Sequence, residues 1–374
     1  MLTRLEIVNF RNLRSTSVEL SKGLNIFWGN NAQGKTNFLE AVYLLSTGKS
    51  FRAETDQELI RWKETAAKII GEAPPLQIEL TIEESGKKLL VNRQNKRLIE
   101  LIGEFLVVLF SPEDLLLLTG PPTLRRAWLN SLISRVDKNY LFNLAKLTRV
   151  LKNRNRLLLL ASRGSRTDLK VWDDQLIELS SHIWVSRKDF IGKIERILKS
   201  LSAKLGVERI FLEYHPQLEI KSLKETKESL AKKLTSLREE ELKRAQTLVG
   251  PHRDDFKVIF ETTQEEAVLS KDVGVYGSRG EQRTAILSLK LAELELVQAE
   301  KGRRPTLLLD DILSEFDRAH REMIQSLLYH QQSLLTTTSL GFIDPKIVEK
   351  AKVFYVEKGD VKANAQGDGK EPSA

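Results

Sequence analysis

The chain has 374 residues, 41% of them hydrophobic, which favours two domains with a sizeable core over a disordered chain. It contains no cysteine, so disulfides, thiolate metal sites and a cysteine nucleophile are excluded. No run approaches the roughly 20 apolar residues that span a bilayer, and the first ten residues alternate like a strand rather than a signal peptide. We therefore expect a soluble, cytoplasmic protein without membrane association.

The net charge of +8 is unevenly distributed. Residues 121–250 contain 27 Lys and Arg against 15 Asp and Glu, whereas the remaining residues contain 32 basic and 36 acidic side chains. A basic internal segment between slightly acidic flanks favours either simple solubility or a surface that binds a polyanion. Composition alone leaves both interpretations open.

The first 110 residues have the periodicity of strands around one helix, which we predict over Thr36–Leu45. The predicted strands in this part are Thr3–Phe10, Gly23–Trp28, Gln77–Glu83, Lys88–Asn92 and Leu106–Phe110.

The chain from about residue 122 to 243 is rich in Leu, Lys, Arg and Glu, with apolar residues at steps of three and four. These residues favour helices, so we predict a helical segment there. After it we predict strands Asp255–Thr262 and Glu266–Leu269, helix Gly280–Lys301, strand Thr306–Leu309, helix Glu315–Tyr329 and strand Ser333–Thr338.

This order predicts an α/β framework that a mainly helical second lobe interrupts. Neither framework half has enough strands for a covered sheet, so the two halves must combine. The predicted boundaries are residues 1–115 for the first framework half, 116–245 for the basic helical lobe, 246–361 for the second framework half and 362–374 for a disordered tail.

A phosphate-binding pattern, G-x-x-x-x-G-K-[ST], lies between the strand ending at Trp28 and the helix that follows. Backbone N–H groups of such a loop surround phosphates, Lys35 reaches the β- and γ-phosphates, and Thr36 offers its hydroxyl to Mg²⁺. The alternative is a glycine-rich turn with an exposed lysine. The loop consists of Gly29, Asn30, Asn31, Ala32, Gln33, Gly34, Lys35 and Thr36.

Two carboxylates follow the apolar run of residues 306–309. Ligands bind at the carboxyl ends of buried parallel strands, so we expect Asp310 beside Mg²⁺ and Asp311 orienting the attacking water. The alternative is an acidic helix start.

Residues 276–283 form a third element, where small residues before a helix indicate either a second anion site or a turn with a serine N-cap.

Together these motifs resemble the ABC-type ATPases of the SMC class and, within them, the RecF family. The resemblance covers nearly the whole chain and implies an SMC head-like P-loop ATPase lobe with an inserted helical lobe. The segments that carry it, besides the phosphate loop and the paired aspartates, are Asn9–Asn12, Thr47–Arg52, Phe110–Asp114, Pro122–Leu129, Gly250–Asp255, Ser278–Glu281 and Ser314–Asp317.

The resemblance implies a weak ATPase whose cofactors are ATP and Mg²⁺. ATP held by one subunit's phosphate loop would be capped by the partner's signature, so that Ser278 acts in trans on an ATP-dependent homodimer. Lys35 and Asp311 would complete the catalytic set, and Thr36 and Asp310 would hold the metal. The signature is Ser278, Arg279, Gly280 and Glu281, and the D-loop at the dimer interface includes Ser314 and Asp317.

The family further implies binding to duplex DNA near single-strand gaps, slow DNA-stimulated hydrolysis, and action with RecR and RecO to load RecA for gap repair and SOS induction. The sequence departs from the pattern of such ATPases in four places. Asp311 stands where many carry glutamate, Arg279 where a small residue is common, and Asn130 where an acidic residue is usual after the arm motif. Residues Thr336–Ser339 replace the histidine after the next strand.

Basic side chains in one helical stretch are the candidates for DNA contacts. Steps from residue 149 to 152 to 156 place three cations on one helix face, which suits phosphate contacts without base readout. A solvated basic helix face is the alternative. The candidates are Lys146, Arg149, Lys152, Arg154 and Arg156.

Two other functions share the ATP motifs. A membrane transporter's nucleotide-binding subunit carries them, but normally without so long an insert as residues 51–276. An architectural protein could use ATP binding as a clamp and scarcely hydrolyse it.

Overall fold

The computed structural model describes residues 1–202, 205–264 and 267–363. The chain divides into two compact units. The first unit comprises Met1–Asp114 and Lys301–Ala374, and the second comprises Leu115–Glu300. Within the described ranges, no helix combines the length and apolarity needed to cross a membrane.

The strands, in chain order, are β1 (Arg4–Phe10), β2 (Leu13–Glu19), β3 (Leu24–Trp28), β4 (Ala66–Ala73), β5 (Leu76–Glu83), β6 (Gly86–Val91), β7 (Gln94–Lys96), β8 (Val107–Phe110), β9 (Arg209–His215), β10 (Asp255–Gln264), β11 (Ala267–Asp272), β12 (Thr306–Asp310), β13 (Ser333–Thr337), β14 (Lys352–Glu357) and β15 (Asp360–Ala363).

The helices are α1 (Lys35–Thr47), α2 (Leu98–Leu101), α3 (Leu116–Thr119), α4 (Pro122–Val136), α5 (Lys138–Ser162), α6 (Lys170–Ser202), α7 (Leu223–Arg244), α8 (Val273–Tyr276), α9 (Arg279–Lys301), α10 (Arg318–Leu327) and α11 (Pro345–Val348).

A largely parallel sheet of the first unit has the order β15-β14-β3-β13-β12-β8. Only the β14–β15 pair is antiparallel. Every residue of β3, β8, β12 and β13 is buried, as expected for parallel strands covered on both faces. The phosphate loop follows β3 and the paired aspartates end β12, with β13 between these strands, so the topology brings both motifs to one edge of the sheet.

The second sheet of the first unit is antiparallel, in the order β2-β1-β4-β5-β6-β7. Its central strands β4 and β5 alternate buried and partly exposed residues, and its buried face joins α1 and the parallel sheet in one hydrophobic core. Phe27 of β3 lies at the centre of this core, with ring centroids 4.3 Å from Phe38 and 4.8 Å from Phe354. This packing fixes the helix that begins at the phosphate loop.

The second unit combines the long helices α4–α7 and α9 with a sheet in the order β11-β10-β9. The carboxylate of Asp254 is the centre of its buried polar network. It accepts hydrogen bonds from Trp184 Nε1 at 2.9 Å, Arg187 Nη1 at 2.5 Å and the Tyr214 hydroxyl at 2.5 Å. Arg187 also donates to the Tyr140 hydroxyl at 3.0 Å, so the network ties helices to the sheet.

The structure corrects several sequence predictions. It adds β2, β4, β7, β14 and β15, and it places β9 inside the segment predicted to be helical. Residues 246–300, predicted to belong to the second framework half, group with the second unit, because β10 pairs with β9 along seven residues. The predicted tail begins at 362, but residues 362 and 363 belong to β15, and the rest of it lies outside the described residues.

Candidate nucleotide-binding site

The phosphate loop turns sharply between β3 and α1. Gly29 and Gly34 have φ of 153° and 113°. A Cβ at Gly29 would lie 2.3 Å from the Val356 carbonyl oxygen, and one at Gly34 would lie 2.7 Å from Asn12 Oδ1. Both positions therefore require glycine, for backbone conformation and for space.

Lys35 begins α1 and is buried, with 6% of its surface exposed. Its ammonium donates hydrogen bonds to the carbonyl oxygens of Gly29 at 2.6 Å and Asn30 at 2.8 Å. Burial lowers the pKa of Lys35, and Asp311 and Asp310 partly oppose that shift. The Lys35 ammonium therefore lies against the loop, where it can donate hydrogen bonds to the phosphate oxygens of a bound nucleotide.

Asp310 lies at the end of β12 and is 4% exposed. Its Oδ1 accepts hydrogen bonds from the hydroxyls of Thr36 at 2.9 Å and Thr336 at 2.7 Å. Burial raises the pKa of Asp310, and these two hydrogen bonds oppose the increase. The structure therefore brings together the two side chains that the sequence analysis assigned to metal binding.

Asp311 adopts a left-handed conformation, with φ of 48°. Its Oδ1 is buried and has no hydrogen-bond partner within the described part of the chain. Burial raises the pKa of Asp311, and the positive charge of Lys35 opposes the increase. A buried carboxylate oxygen without a partner is costly, and such a group marks a place where a ligand or water completes the bonding.

Oxygen donors at this edge of the sheet fit Mg²⁺. The Thr36 hydroxyl and the Asp310 carboxylate are adjacent, and Asp311 offers its unpartnered oxygen nearby. Across the described ranges there is no group of three or more His, Cys, Asp and Glu residues that could hold a metal ion. Mg²⁺ needs no such cage, because it is bound by one or two protein oxygens together with phosphates and water.

Hydrogen bonds that the motif analysis did not predict support the loop. The Asn12 side chain accepts a hydrogen bond from Asn37 Nδ2 at 2.8 Å and donates one to the Ala32 carbonyl at 3.4 Å. The Gln33 side chain accepts from the Lys358 backbone at 2.6 Å. These contacts clamp the loop between the β1–β2 turn and the β14–β15 turn.

Glu40, which the sequence analysis missed, is fully buried on α1. Arg11 donates to both of its oxygens, at 2.9 and 3.0 Å, and the Ser50 hydroxyl donates to Oε1. A bidentate arginine–carboxylate pair is geometrically specific, so it fixes the turn after β1 on α1. No motif signalled Glu40, although Arg11 and Ser50 lie in the segments that resemble the family.

The D-loop candidates cap local turns of the first unit. Asp317 accepts a hydrogen bond from His320 N at 3.0 Å and thereby starts α10. The Ser314 hydroxyl donates to the Asp311 carbonyl at 2.8 Å. The predicted helix from Glu315 is therefore shorter at its beginning, because the cap places the first helical residue at Arg318.

The signature candidates lie in the second unit, at the start of α9. Ser278 N donates to Glu281 Oε2 at 2.8 Å, while Glu281 N donates to Ser278 Oγ at 3.3 Å, which is a reciprocal capping box. Lys271 of β11 holds Glu281 at 2.6 Å. Ser278, Arg279 and Gly280 are exposed, so they present the positive end of α9 to solvent.

The structure separates the five basic candidates on α5. Lys146, Arg149, Lys152 and Arg156 are exposed. Arg154, in contrast, is fully buried: its Nη2 donates to Glu241 at 2.5 Å and its Nε donates to Asp173 at 2.8 Å. The prediction that Arg154 contacts DNA is therefore wrong, because its guanidinium is buried and forms ion pairs within the protein.

Comparison with known proteins identifies the family. A family model described as the RecF/RecN/SMC N terminal domain matches residues 1–359. The curated DNA replication and repair protein RecF of Halothermothrix orenii is 40% identical, covering 96% of this chain and 97% of that protein. The protein of the same name from Geobacillus thermodenitrificans is 36% identical, with 97% and 99% covered.

Solved structures support the same family and fold. A structure of the recombination mediator protein RecF with ATP in the RecFOR pathway has a TM-score of 0.87, 34% identity and 97% of each chain covered. An Smc head bound to the C-winged helix domain of ScpA, at 15% identity and a TM-score of 0.53, shares the fold, covering 97% of this chain and 96% of that one. The fold is that of the ABC-type ATPases, and the chain belongs to the RecF family, within the wider RecF/RecN/SMC group.

Proposed function

We propose that this protein is an ATP-dependent DNA-binding protein of recombinational repair and replication. The observation that carries the proposal is the Thr36–Asp310 hydrogen bond, which joins a glycine-dependent phosphate loop to a buried carboxylate at the same sheet edge. This arrangement suits a nucleoside triphosphate with Mg²⁺. A relative with 34% identity was solved with ATP, which supports ATP as the nucleotide.

ATP is bound by the loop from Gly29 to Thr36, and the metal is held by Thr36 and Asp310. Bound Mg²⁺ neutralises charge on the phosphates. Lys35 stabilises the γ-phosphate, and Asp311 orients the attacking water through its unpartnered oxygen. Because aspartate is shorter than glutamate, we expect slow hydrolysis.

Two protein molecules bind each other through ATP. The exposed Ser278 at the positive end of α9 in one molecule contacts the γ-phosphate held by the other. The D-loop residues Ser314 and Asp317 contribute to the same interface. Hydrolysis releases the two heads, so that the nucleotide controls how long the dimer persists.

DNA is bound by the cationic face of α5. Lys146, Arg149, Lys152 and Arg156 are exposed, and no ion pair of theirs is found among the described residues. Unpaired cations on one helix face favour phosphate contacts, which give affinity without sequence preference. The names of the curated relatives, which are DNA replication and repair proteins over nearly their full length, support DNA over the transporter alternative.

The biological setting we propose is the gap-repair pathway of bacteria. The ATP dimer binds near single-strand/double-strand junctions and, with RecO and RecR, promotes RecA loading and SOS induction. A cytoplasmic, nucleoid-associated location goes with this role. The RecFOR pathway assignment of a solved relative supports these partners.

The test is DNA binding measured with ATP, with ADP and without nucleotide, on duplex, gapped and single-stranded DNA of equal length. We expect ATP to increase the affinity for duplex and gapped DNA. Light scattering should show that the protein forms a dimer under the same ATP conditions. DNA affinity that is equal in all three nucleotide states would refute ATP control.

A further inference from the structure

The strand between the two nucleotide motifs, β13, ends in two threonines, and Thr336 is the one that lies beside the paired aspartates. β13 pairs with both β3 and β12, and Thr336 is the direct register partner of Asp310. Its side chain is buried, with 1% exposed. The phosphate-loop, metal and signature motifs do not include this residue.

The Thr336 hydroxyl forms hydrogen bonds with both aspartates. Its Oγ1 donates to Asp310 Oδ1 at 2.7 Å and accepts from the backbone N–H of Asp311 at 2.9 Å. A hydroxyl has one proton to donate and can accept two hydrogen bonds, so both contacts coexist. The Leu309 carbonyl, at 3.4 Å, is the more distant of the two acceptors.

The second contact stabilises an unfavourable backbone. Asp311 has φ of 48°, in the left-handed region that non-glycine residues seldom adopt. Its N–H is held by Thr336 through the hydroxyl and also through the carbonyl, at 3.2 Å. The turn at Asp311 directs its side chain differently from that of Asp310, so the hydroxyl links the orientations of the two carboxylates.

We propose that Thr336 is a positioning residue that fixes Asp310 for metal binding and Asp311 for water activation as one unit. The proposal rests on the proposed nucleotide site. The Thr336 hydroxyl reaches both adjacent aspartates, Asp310 through its side chain and Asp311 through its backbone N–H. Thr336 acts on the carboxylates, and no contact with the nucleotide is required.

The test compares T336V and T336A with T336S, which keeps the hydroxyl. T337V is the matched control, because Thr337 is equally buried on the same strand but pairs with Ser339 instead. Mg²⁺ is titrated at a fixed concentration of a fluorescent ATP analogue, and the half-saturating Mg²⁺ concentration is measured. The affinity for the analogue in EDTA reports whether the phosphate loop still binds nucleotide without metal. Melting temperatures show which variants are folded, and the comparison needs only one of T336V and T336A to be folded.

We expect T336V and T336A to bind the analogue normally in EDTA but to need about tenfold more Mg²⁺ for half-saturation, as expected when one hydrogen bond to a charged group is lost. T336S should restore the value to within about twofold of the unaltered protein, and T337V should leave it unchanged. Turnover should fall in T336V and T336A and recover in T336S.

Equal Mg²⁺ requirements in T336V and the unaltered protein would overturn the positioning role while leaving the proposed function intact. A loss in T336S as large as that in T336V would also overturn it, because packing rather than the hydroxyl would then be responsible. If the unaltered protein shows no Mg²⁺-dependent ATP binding at all, the proposed function fails and this inference fails with it.

Discussion

The Thr36 hydroxyl donates a 2.9 Å hydrogen bond to Oδ1 of Asp310, joining the first turn of α1 to the end of a strand 274 residues later. Neither residue is informative alone, since threonine begins many helices and aspartate ends many strands. Their contact places the hydroxyl that we propose as a metal ligand beside a buried carboxylate at the phosphate loop. The predictions on ATP chemistry depend on this geometry.

Replacing Lys35 with methionine should reduce ATP affinity at least about tenfold and abolish ATP-dependent dimerisation and ATP-stimulated DNA binding. The ammonium is the charged donor of the loop, and hydrogen bonds to charged groups contribute about 1.5–3 kcal/mol. Isothermal titration with ATP measures the affinity, and the exposed K22M is the matched control. Dimerisation by ATP in K35M would contradict the mechanism.

Replacing Asp311 with asparagine should preserve ATP binding and dimerisation but lower single-turnover hydrolysis by about 100-fold or more. Removing a group that orients or deprotonates the attacking water typically costs that much. The variant is nearly isosteric, so the turn at Asp311 and its N–H contact with Thr336 should persist. Normal turnover in D311N would remove Asp311 from the assigned role.

Replacing Lys152 and Arg156 with glutamine should weaken duplex binding and lower the slope of log affinity against log salt by about two. Each lost phosphate contact removes about 0.9 from that slope. The control variant, K232Q/K233Q, removes the same charge from exposed positions on α7. If both double variants give the same slope, the DNA surface does not include the α5 face.

Replacing Arg154 should affect folding rather than DNA contact. Its guanidinium is fully buried between Glu241 and Asp173, and removing one partner of a buried ion pair costs about 3–5 kcal/mol. We therefore expect R154M to lower the free energy of unfolding in urea, with an unchanged salt slope for the folded fraction. A stable R154M with weaker DNA binding would restore Arg154 as a contact residue.

His252 should make stability depend on pH between about 6.5 and 4. Burial lowers the pKa of His252 to about 4, so the unfolded chain binds a proton in this window and the folded chain does not. Stability from this group is complete above pH 6.5 and declines by up to about 3 kcal/mol as the pH falls to 4. Urea unfolding of H252Q should show a shallower decline than the unaltered protein, whereas H215Q, at an exposed histidine, should not.

Local patterns were sufficient for much of the first unit. Alternation and apolar runs predicted β1, β3, β5, β6 and β8, and helical spacing predicted α1. The β2 strand escaped because only Leu13 and Val18 of its seven residues are apolar, although its hairpin partner β1 directly precedes it. β9 escaped because it lies in a segment whose composition favours helices, and its partner β10 begins 40 residues after β9 ends.

The predicted domain boundary shows the same limit. Residues 246–300 carry strand patterns and an ATPase motif, which suggested that they belong with the phosphate loop. Contacts decide otherwise: Trp128 and Arg135 of α4 donate to the buried Glu293 of α9, at 2.8 and 2.5 Å. A buried carboxylate must be paired, and besides Lys290 on the same helix the partners of Glu293 are Trp128 and Arg135, more than 150 residues away in the chain.

The phosphate loop, the carboxylates that end β12 and the basic character of α5 could be predicted without a structure, because glycine spacing, residue chemistry and charge are local properties of the chain. The inward orientation of Arg154 and the hydrogen bonds of Thr336 with both aspartates became visible only in the folded protein. Burial and hydrogen bonding depend on strand register and helix packing, which bring together residues far apart in the chain.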